Sequence, residues 1–400
     1  MKTALFAAFI LLSTSAYAQS NYWSGETRSF LKKVQFPYPD RFASSLKSIC
    51  RLNPPKWQKM SNKIIDATVP HPKYLKKGMW IKYAFKKRPS PLMIILPGAF
   101  TTMNGDQSRY LADAFLKRDY HILVLTNPWG VSYINNGPLN TTGDLLAEGR
   151  SLHDFLVDWK KSLSPETKNK ITSTSLFGIS YGAFASAMIG AYDAALEDPV
   201  IDGMITAISP PINMAKTMVN LDDSIISIAA RIRKGKLSFL GAYRRLCKSK
   251  NQSEISEKDL ATIKVATVKM GFHQSMIKNI VAYSDFFKLD WYPARTTFNR
   301  AYNNWQYQTL FQSYFEEYAP LVGDVTRSQY GTIQYWIDQA RLHGKNNIRV
   351  LAAKDDFLNS ITGSDQEYSE FKDPAFVTIP HGGHFGFAAR PWFEKFLDLL

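Results

Sequence analysis

The chain has little cysteine, no low-complexity tract and no Gly-X-Y period, and these absences exclude several classes of protein. Two cysteines in 400 residues are too few for a disulfide framework or a cysteine-rich zinc module. With 45% hydrophobic and 21% charged residues, the composition is that of a packed protein and not of a disordered, collagen-like or coiled-coil chain. The length predicts about two to three structural units around a sizeable core.

Long apolar runs are scarce as well. Residues 1–18 combine a basic start at Lys2, a short apolar run and the small-x-small sequence Ala16-Tyr17-Ala18, a pattern typical of a signal peptide cleaved before Gln19. An uncleaved anchor is the alternative, but the apolar run is shorter than the roughly 20 residues that a bilayer span needs. No later run is long and apolar enough to span. We expect an exported protein, periplasmic or secreted.

Acidic residues are nearly missing from two segments. Residues 31–90 contain 15 Lys or Arg against two acidic residues, and residues 231–250 contain eight basic and no acidic residues, within a formal net charge of +15. Such segments can attract an anionic surface, and a membrane or a polysaccharide is the candidate macromolecular partner, whereas specific nucleic-acid recognition is not expected. A solvated basic face without a partner is the alternative.

The two cysteines lie one in each basic segment. In an exported chain, Cys50 and Cys247 are the only candidates for an intrachain disulfide, and two buried free thiols are the alternative. A bond between them would join the two basic segments into one patch.

From residue 81 onward, short β-branched runs alternate with stretches of helical period, as in an α/β fold with a mostly parallel sheet flanked by helices. We predict strands over 81–85, 92–96, 121–125, 173–178, 201–208, 348–353 and 375–379, and helices over 106–117, 144–159, 181–195 and 391–400. Between them, residues 212–346 read as helical and aromatic-rich, and an insertion of that length favours a cap domain over a loop.

The predicted organisation is therefore a signal peptide 1–18, a basic N-terminal extension 19–80, a core in two parts over 81–211 and 347–400, and the cap insertion 212–346. Within the cap, residues 224–248 form a basic amphipathic stretch. A lid whose apolar face packs over Ser180 is the favoured interpretation, and a helix lying on an anionic membrane is the alternative.

One short motif carries chemistry. Gly178-Ile179-Ser180-Tyr181-Gly182 matches G-x-S-x-G directly between a predicted strand and a predicted helix. The sharp turn between them forces backbones close together, so Gly178 and Gly182 must be nearly without side chains. The turn presents Ser180 Oγ at the carboxyl end of the sheet.

A serine hydroxyl needs a base, itself oriented by a carboxylate, and the region after residue 347 offers both. Asp355 and Asp356 follow the strand 348–353, and His381 and His384 follow the strand 375–379. The other histidines are scattered without metal-ligand spacing, and Gly178–Gly182 lacks the Lys-Ser/Thr of a phosphate-binding loop. No metal and no cofactor are expected.

With these residues in place, segments 81–207 and 347–400 resemble the α/β-hydrolases. Ala353-Lys354-Asp355-Asp356 and Gly382-Gly383-His384-Phe385-Gly386-Phe387 are similar to the esterase and lipase branch of that superfamily. In the pattern of that branch, the acid lies three residues after a small residue and the base follows paired glycines. The resemblance thus implies Asp356 as the acid and His384 as the base, with His381 in a supporting or structural place.

The resemblance also implies an oxyanion hole. One donor is the backbone N–H of Tyr181, after the nucleophile, and the other comes from the loop 96–100, where Ala99 and Phe100 are the candidates. Pro97 departs from the usual His-Gly of that loop.

The expected function is that of an exported serine hydrolase that cleaves a carboxylic ester, of a small molecule or a lipid, through an acyl-enzyme, with Ser180, Asp356 and His384 as its triad. A serine peptidase or amidase is the rival enzyme, because the same triad cleaves amides. A catalytically inactive binding protein that uses the basic patch is the alternative from another class.

Overall fold

The computed structural model describes residues 22–52, 54–60, 65–69, 78–99, 101–130, 133, 145–214, 216–217, 220, 239–266, 327–359, 369–388 and 390–400. The predicted signal peptide, Phe100, the stretch 224–238 and most of the aromatic-rich part of the predicted cap lie outside the described residues.

Eight strands among the described residues form one sheet, in the order β1-β2-β4-β3-β5-β6-β7-β8. The pairs β1–β2 and β2–β4 are antiparallel, and all other pairs are parallel. The strands are β1 Ile65–Val69, β2 Met79–Ala84, β3 Ser90–Leu96, β4 His121–Val124, β5 Ile171–Ile179, β6 Ile205–Ile208, β7 Ile348–Ala353 and β8 Phe376–Ile379.

The helices in the described part of the chain are α1 Gly25–Lys32, α2 Arg41–Arg51, α3 Trp57–Met60, α4 Asp106–Lys117, α5 Leu145–Ser162, α6 Pro165–Lys168, α7 Tyr181–Ala194, α8 Phe239–Lys248, α9 Glu257–Ala266, α10 Arg327–Tyr330, α11 Ile333–Leu342 and α12 Pro391–Leu397. Short 3₁₀ turns cover Gln252–Glu254 and Ser369–Lys372. The predicted fold class, a mostly parallel sheet flanked by helices, is confirmed.

The centre of the sheet is buried on both faces, and the small residues of α7 allow that helix to pack closely against it. Strands β3 and β5 pair in parallel and end in buried apolar residues. Helix α7 is rich in alanine and glycine and is buried along almost its whole length. A Cβ on its Gly190 would come within 2.3 Å of Ile205 Cδ1, so the small residues let the helix lie close to the sheet.

Two parts of the chain join the core although the sequence assigns them elsewhere. Strand β1 lies in the predicted N-terminal extension 19–80, yet it extends the sheet by pairing with β2. Helix α11 lies in the predicted cap 212–346, yet it packs on α7. Local sequence pattern gives each element its type but does not identify the long-range partner on which it packs.

The N-terminal segment is held by helices that lie far from it in the sequence. Helix α2 packs against α8 and α9, and Cys50 of α2 is bonded to Cys247 of α8. The bond brings the two basic segments of the sequence together. None of the helices in the described part of the chain has the length and apolar character of a membrane span.

His121 gives the fold a specific dependence on pH. The buried ring accepts a hydrogen bond from Lys86 N–H at Nδ1 and donates from Nε2 to Lys170 O, each at 2.8 Å, so the native ring is neutral. Burial, assisted by the charges of Lys86 and Lys170, lowers the pKa of His121 below its usual 6.5. The unfolded chain therefore binds this proton at a higher pH than the native chain, and stability is lost as pH falls below about 6.5.

We expect urea unfolding midpoints to decrease between pH 7 and pH 5 by more in the wild type than in His121→Gln, which cannot take up the proton. His343 is an exposed histidine at the end of α11, so His343→Gln should keep the wild-type dependence. Equal slopes for the wild type and His121→Gln would contradict the assignment.

Candidate active site

The G-x-S-x-G motif forms the tight turn between β5 and α7. Ser180 has φ 57° and ψ −128°, a strained conformation for a residue with a side chain, and its N–H donates to Ile208 O at 2.9 Å. A Cβ on Gly178 would lie 2.2 Å from Ser186 Oγ, and one on Gly182 would lie 2.3 Å from both Leu96 O and Pro97 O. Both positions therefore require glycine, as the sequence predicts.

Three side chains that are distant in sequence meet at this turn. His384 Nε2 lies 2.8 Å from Ser180 Oγ, and His384 Nδ1 lies 3.0 Å from Asp356 Oδ2. An ionised carboxylate only accepts, so Nδ1 carries the ring proton and Nε2 is left to accept from the serine hydroxyl. The arrangement can remove the hydroxyl proton as Oγ attacks a carbonyl carbon.

The two adjacent aspartates have different hydrogen-bond partners. Asp356 is completely buried, and its second carboxylate oxygen, Oδ1, accepts from Leu358 N–H at 2.9 Å. Asp355 Oδ1 instead accepts from Gly383 N–H at 2.9 Å, and its Oδ2 lies 3.6 Å from the ring of His381. Burial, with the neighbouring charge of Asp356, raises the pKa of Asp355. Of the two carboxylates, only Asp356 bonds the imidazole of His384.

The loop after β3 lies against the nucleophile. A Cβ on Gly98 would come within 3.1 Å of Ser180 Cβ, so this loop passes directly beside the attacking oxygen. Asn127, shortly after β4, holds the loop by donating from Nδ2 to Pro97 O at 2.7 Å. Tyr181 begins α7, where the first N–H groups have no acceptor within the helix. The backbone of Tyr181 and the loop at Gly98 thus flank Ser180.

The side chain of Tyr181 ends on a buried acid. Its hydroxyl donates to Glu148, the fully buried acid in the first turn of α5, and the ring of Trp129 stands edge-on to it. Burial first, and then the charge of Glu148, raise the pKa of Tyr181 well above its usual value. The phenol therefore stays protonated as a donor, which fixes the start of α7. Nothing in the local sequence indicates this pairing, because the partners belong to separate helices.

The second histidine predicted near the site, His381, does not contact the nucleophile. His381 is half exposed and lies beside Asp355, whereas His384 is the histidine that contacts Ser180. Within the described part of the chain, no group of three or more His, Cys, Asp or Glu could hold a metal ion. The sequence also missed Ser45 of α2, which reaches the backbone of His384.

The sheet order, the antiparallel β2 next to a parallel run, and the strained serine between β5 and α7 define the α/β-hydrolase fold. No protein-family model matches the chain, and no curated protein matches it either. Several solved structures are similar to it.

An esterase from Pyrococcus furiosus is 14% identical, with 86% of this chain and 97% of that chain covered and a TM-score of 0.45. The carboxylesterase CesB from Bacillus subtilis is 11% identical, with 89% and 98% covered and a TM-score of 0.42. An acylaminoacyl peptidase from Pyrococcus horikoshii is 8% identical, with 86% of this chain and 42% of that chain covered and a TM-score of 0.42. At such identities the substrate has to be inferred from the residues of the site itself.

Proposed function

We propose that this protein is a serine hydrolase that cleaves carboxylic esters. The observation that carries the proposal is the continuous contact from Ser180 Oγ through His384 to Asp356, at 2.8 and 3.0 Å, on a serine held at φ 57°. A binding protein has no need of a base, a buried acid and a strained nucleophile aligned in this way.

The tautomer of His384, with its proton on Nδ1, determines the order of the proton transfers. His384 Nε2 takes the proton of Ser180 as Oγ forms a bond to the ester carbonyl carbon, and the buried charge of Asp356 stabilises the resulting imidazolium. The backbone N–H groups of Tyr181 and Ala99 stabilise the oxyanion. His384 then protonates the departing alcohol, and water, activated by the same imidazole, cleaves the acyl-enzyme and restores the serine.

We also propose export, as the leader-like residues 1–18 suggest. The bond between Cys50 and Cys247 supports it, because disulfides form and persist in oxidising compartments.

The nucleophile can be tested by labelling with a fluorophosphonate probe, followed by mass spectrometry of the digested protein. We expect one adduct per chain, on Ser180, and none in Ser180→Ala or in heat-denatured wild type, because the hydroxyl is reactive only beside its base. Undiminished labelling of Ser180→Ala, or a folded wild type that takes no label, would overturn the proposal.

Ester and amide chemistry are separated by assaying a short-chain nitrophenyl ester beside an aminoacyl nitroanilide. We expect turnover of the ester and little or none of the anilide. Faster cleavage of the anilide would make the protein a peptidase or amidase.

A further inference from the structure

The loop after β8 that carries the base, residues 381–388, is called here the histidine loop. Helix α2 of the N-terminal segment lies directly against it. A Cβ on Gly383 would come within 2.0 Å of Arg41 O, and one on Gly386 within 2.5 Å of the carbonyl carbon of Ser44. The glycines of the loop thus allow backbone to pack on backbone, which places the helix at the base of the candidate active site.

Three consecutive N–H groups of the histidine loop each donate to a side chain from a different part of the fold. Two of the acceptors follow strands of the core, and the third belongs to α2. The bonds are Gly383 N–H to Asp355 Oδ1 at 2.9 Å, His384 N–H to Ser45 Oγ at 2.8 Å and Phe385 N–H to Ser209 Oγ at 3.3 Å. The helix therefore supplies the acceptor for the residue whose ring contacts the nucleophile.

Ser45 is itself fixed in the orientation that this contact needs. It is buried, and its hydroxyl proton is donated to Arg41 O at 2.6 Å, so a lone pair remains for His384 N–H. On the same helix, Phe42 stacks on Phe357 at 5.0 Å, and the ring of Phe357 stands edge-on to the imidazole of His384 at 5.6 Å. The helix thus supports both the backbone and, through Phe357, the ring of the base.

Helix α2 is in turn anchored to α8. The buried Lys47 donates from Nζ to three carbonyl oxygens at the end of α8 and just beyond it, those of Leu246, Cys247 and Ser249. These bonds saturate the three donors of the ammonium and satisfy carbonyls that a helix end leaves unpaired. The disulfide from Cys50 adds a covalent link. The support behind the histidine loop is therefore itself held in place.

We propose that Ser45 is a positioning residue of the candidate active site, which aligns His384 with Ser180 through the backbone of the histidine loop. The inference rests on the proposed hydrolase function. Removing the acceptor takes away the hydrogen bond that His384 N–H makes to Ser45 Oγ, and the loop then moves to replace it. A displacement of about 1 Å at the base is enough to lower turnover by about 100-fold.

The test compares Ser45→Ala with Ser48→Ala in the full-length oxidised protein. Ser48 is a matched control, because it is a buried serine of the same helix whose hydroxyl donates to a helix carbonyl, Ser45 O, at 2.7 Å. For nitrophenyl ester hydrolysis by Ser45→Ala, we expect kcat to fall about 10- to 100-fold with KM within about twofold of the wild type. The rate of fluorophosphonate labelling should fall in parallel, whereas Ser48→Ala should keep the wild-type kcat.

A wild-type kcat in Ser45→Ala, or an equal fall of kcat in Ser48→Ala, would overturn the proposal. If Ser45→Ala does not accumulate as folded protein, Ser45→Thr and Ser45→Val form a second pair, nearly equal in shape and different in the hydroxyl. The threonine variant should then exceed the valine variant in kcat by about tenfold, and equality would refute the role of the acceptor. Wild type that takes no label contradicts the proposed function instead, so the two failures are distinguishable.

Discussion

Replacing Asp356 with asparagine should lower kcat by about 10⁴-fold while the protein stays folded, because the imidazole is then held in the wrong tautomer. The direction follows from the second bond of the carboxylate. Leu358 N–H donates to Oδ1 at 2.9 Å, so the amide oxygen of an asparagine would take that place and its NH₂ would face His384 Nδ1. A ring that accepts at Nδ1 carries its proton on Nε2, where it can no longer accept from Ser180.

Asp355→Asn is the matched control for this prediction. Its Oδ1 accepts from Gly383 N–H, and an asparagine retains that acceptor, so kcat should change by less than about tenfold. The measurement is kcat for nitrophenyl ester hydrolysis, with circular dichroism to show that both variants are folded. A larger loss in Asp355→Asn than in Asp356→Asn would exchange the assignment of the two carboxylates.

Replacing Gly182 with alanine should remove activity by destroying the turn on which Ser180 sits. The added Cβ would lie 2.3 Å from both Leu96 O and Pro97 O, and backbone oxygens at the end of a central strand and just after it cannot be displaced cheaply. We expect a loss of about 3 kcal/mol or more in the free energy of unfolding, at the upper end of what overpacking costs. The loop that flanks Ser180 moves together with Leu96, so the remaining folded protein should be inactive.

Gly25→Ala provides the control at another helix start. Gly25 begins α1, and a Cβ there meets nothing within 4 Å, so the free energy of unfolding should stay within about 0.5 kcal/mol of the wild type. Urea unfolding and ester turnover measure both variants. A Gly182→Ala protein with wild-type stability and turnover would show that the turn tolerates a side chain.

The buried strands could be predicted from sequence because burial on both faces leaves a clear apolar signal. The strand predicted at 348–353 agrees with β7, and the helix predicted at 106–117 agrees with α4. The strand predicted from residue 201 begins only at Ile205, because Asp202 and Gly203 form a turn in which Asp202 accepts from Thr174 N–H. Local chemistry at that turn overrides the apolar run.

Strand β1 escaped prediction for a different reason. Its sequence, Ile65-Asp66-Ala67-Thr68-Val69, is short, stands at the edge of the sheet and lies within a strongly basic segment. An edge strand buries less apolar surface than a central one, so the pattern that marks β3 or β5 is weak there. The sheet partner, not the local composition, makes it a strand.

Within the candidate site, the nucleophile and its neighbouring glycines could be predicted because one short turn imposes their identity. The choice of Asp356 and His384 came from a family resemblance and concerns residues close to strand ends, where parallel strands bring side chains together. Ser45 and Glu148 could not be predicted in this way. Each reaches the site from a helix whose local periodicity records burial but not the identity of its partner.

The contact between Ser45 and His384 joins positions that are 339 residues apart. Contacts of such high sequence separation form late in folding, since the entropy of closing a long loop must be overcome first. A nascent chain released before residue 384 would contain Ser180 but not the imidazole that activates its hydroxyl. The Ser180 hydroxyl therefore stays without its base during synthesis, and full turnover is reached only once Ser45 and His384, at the two ends of this span, are in contact.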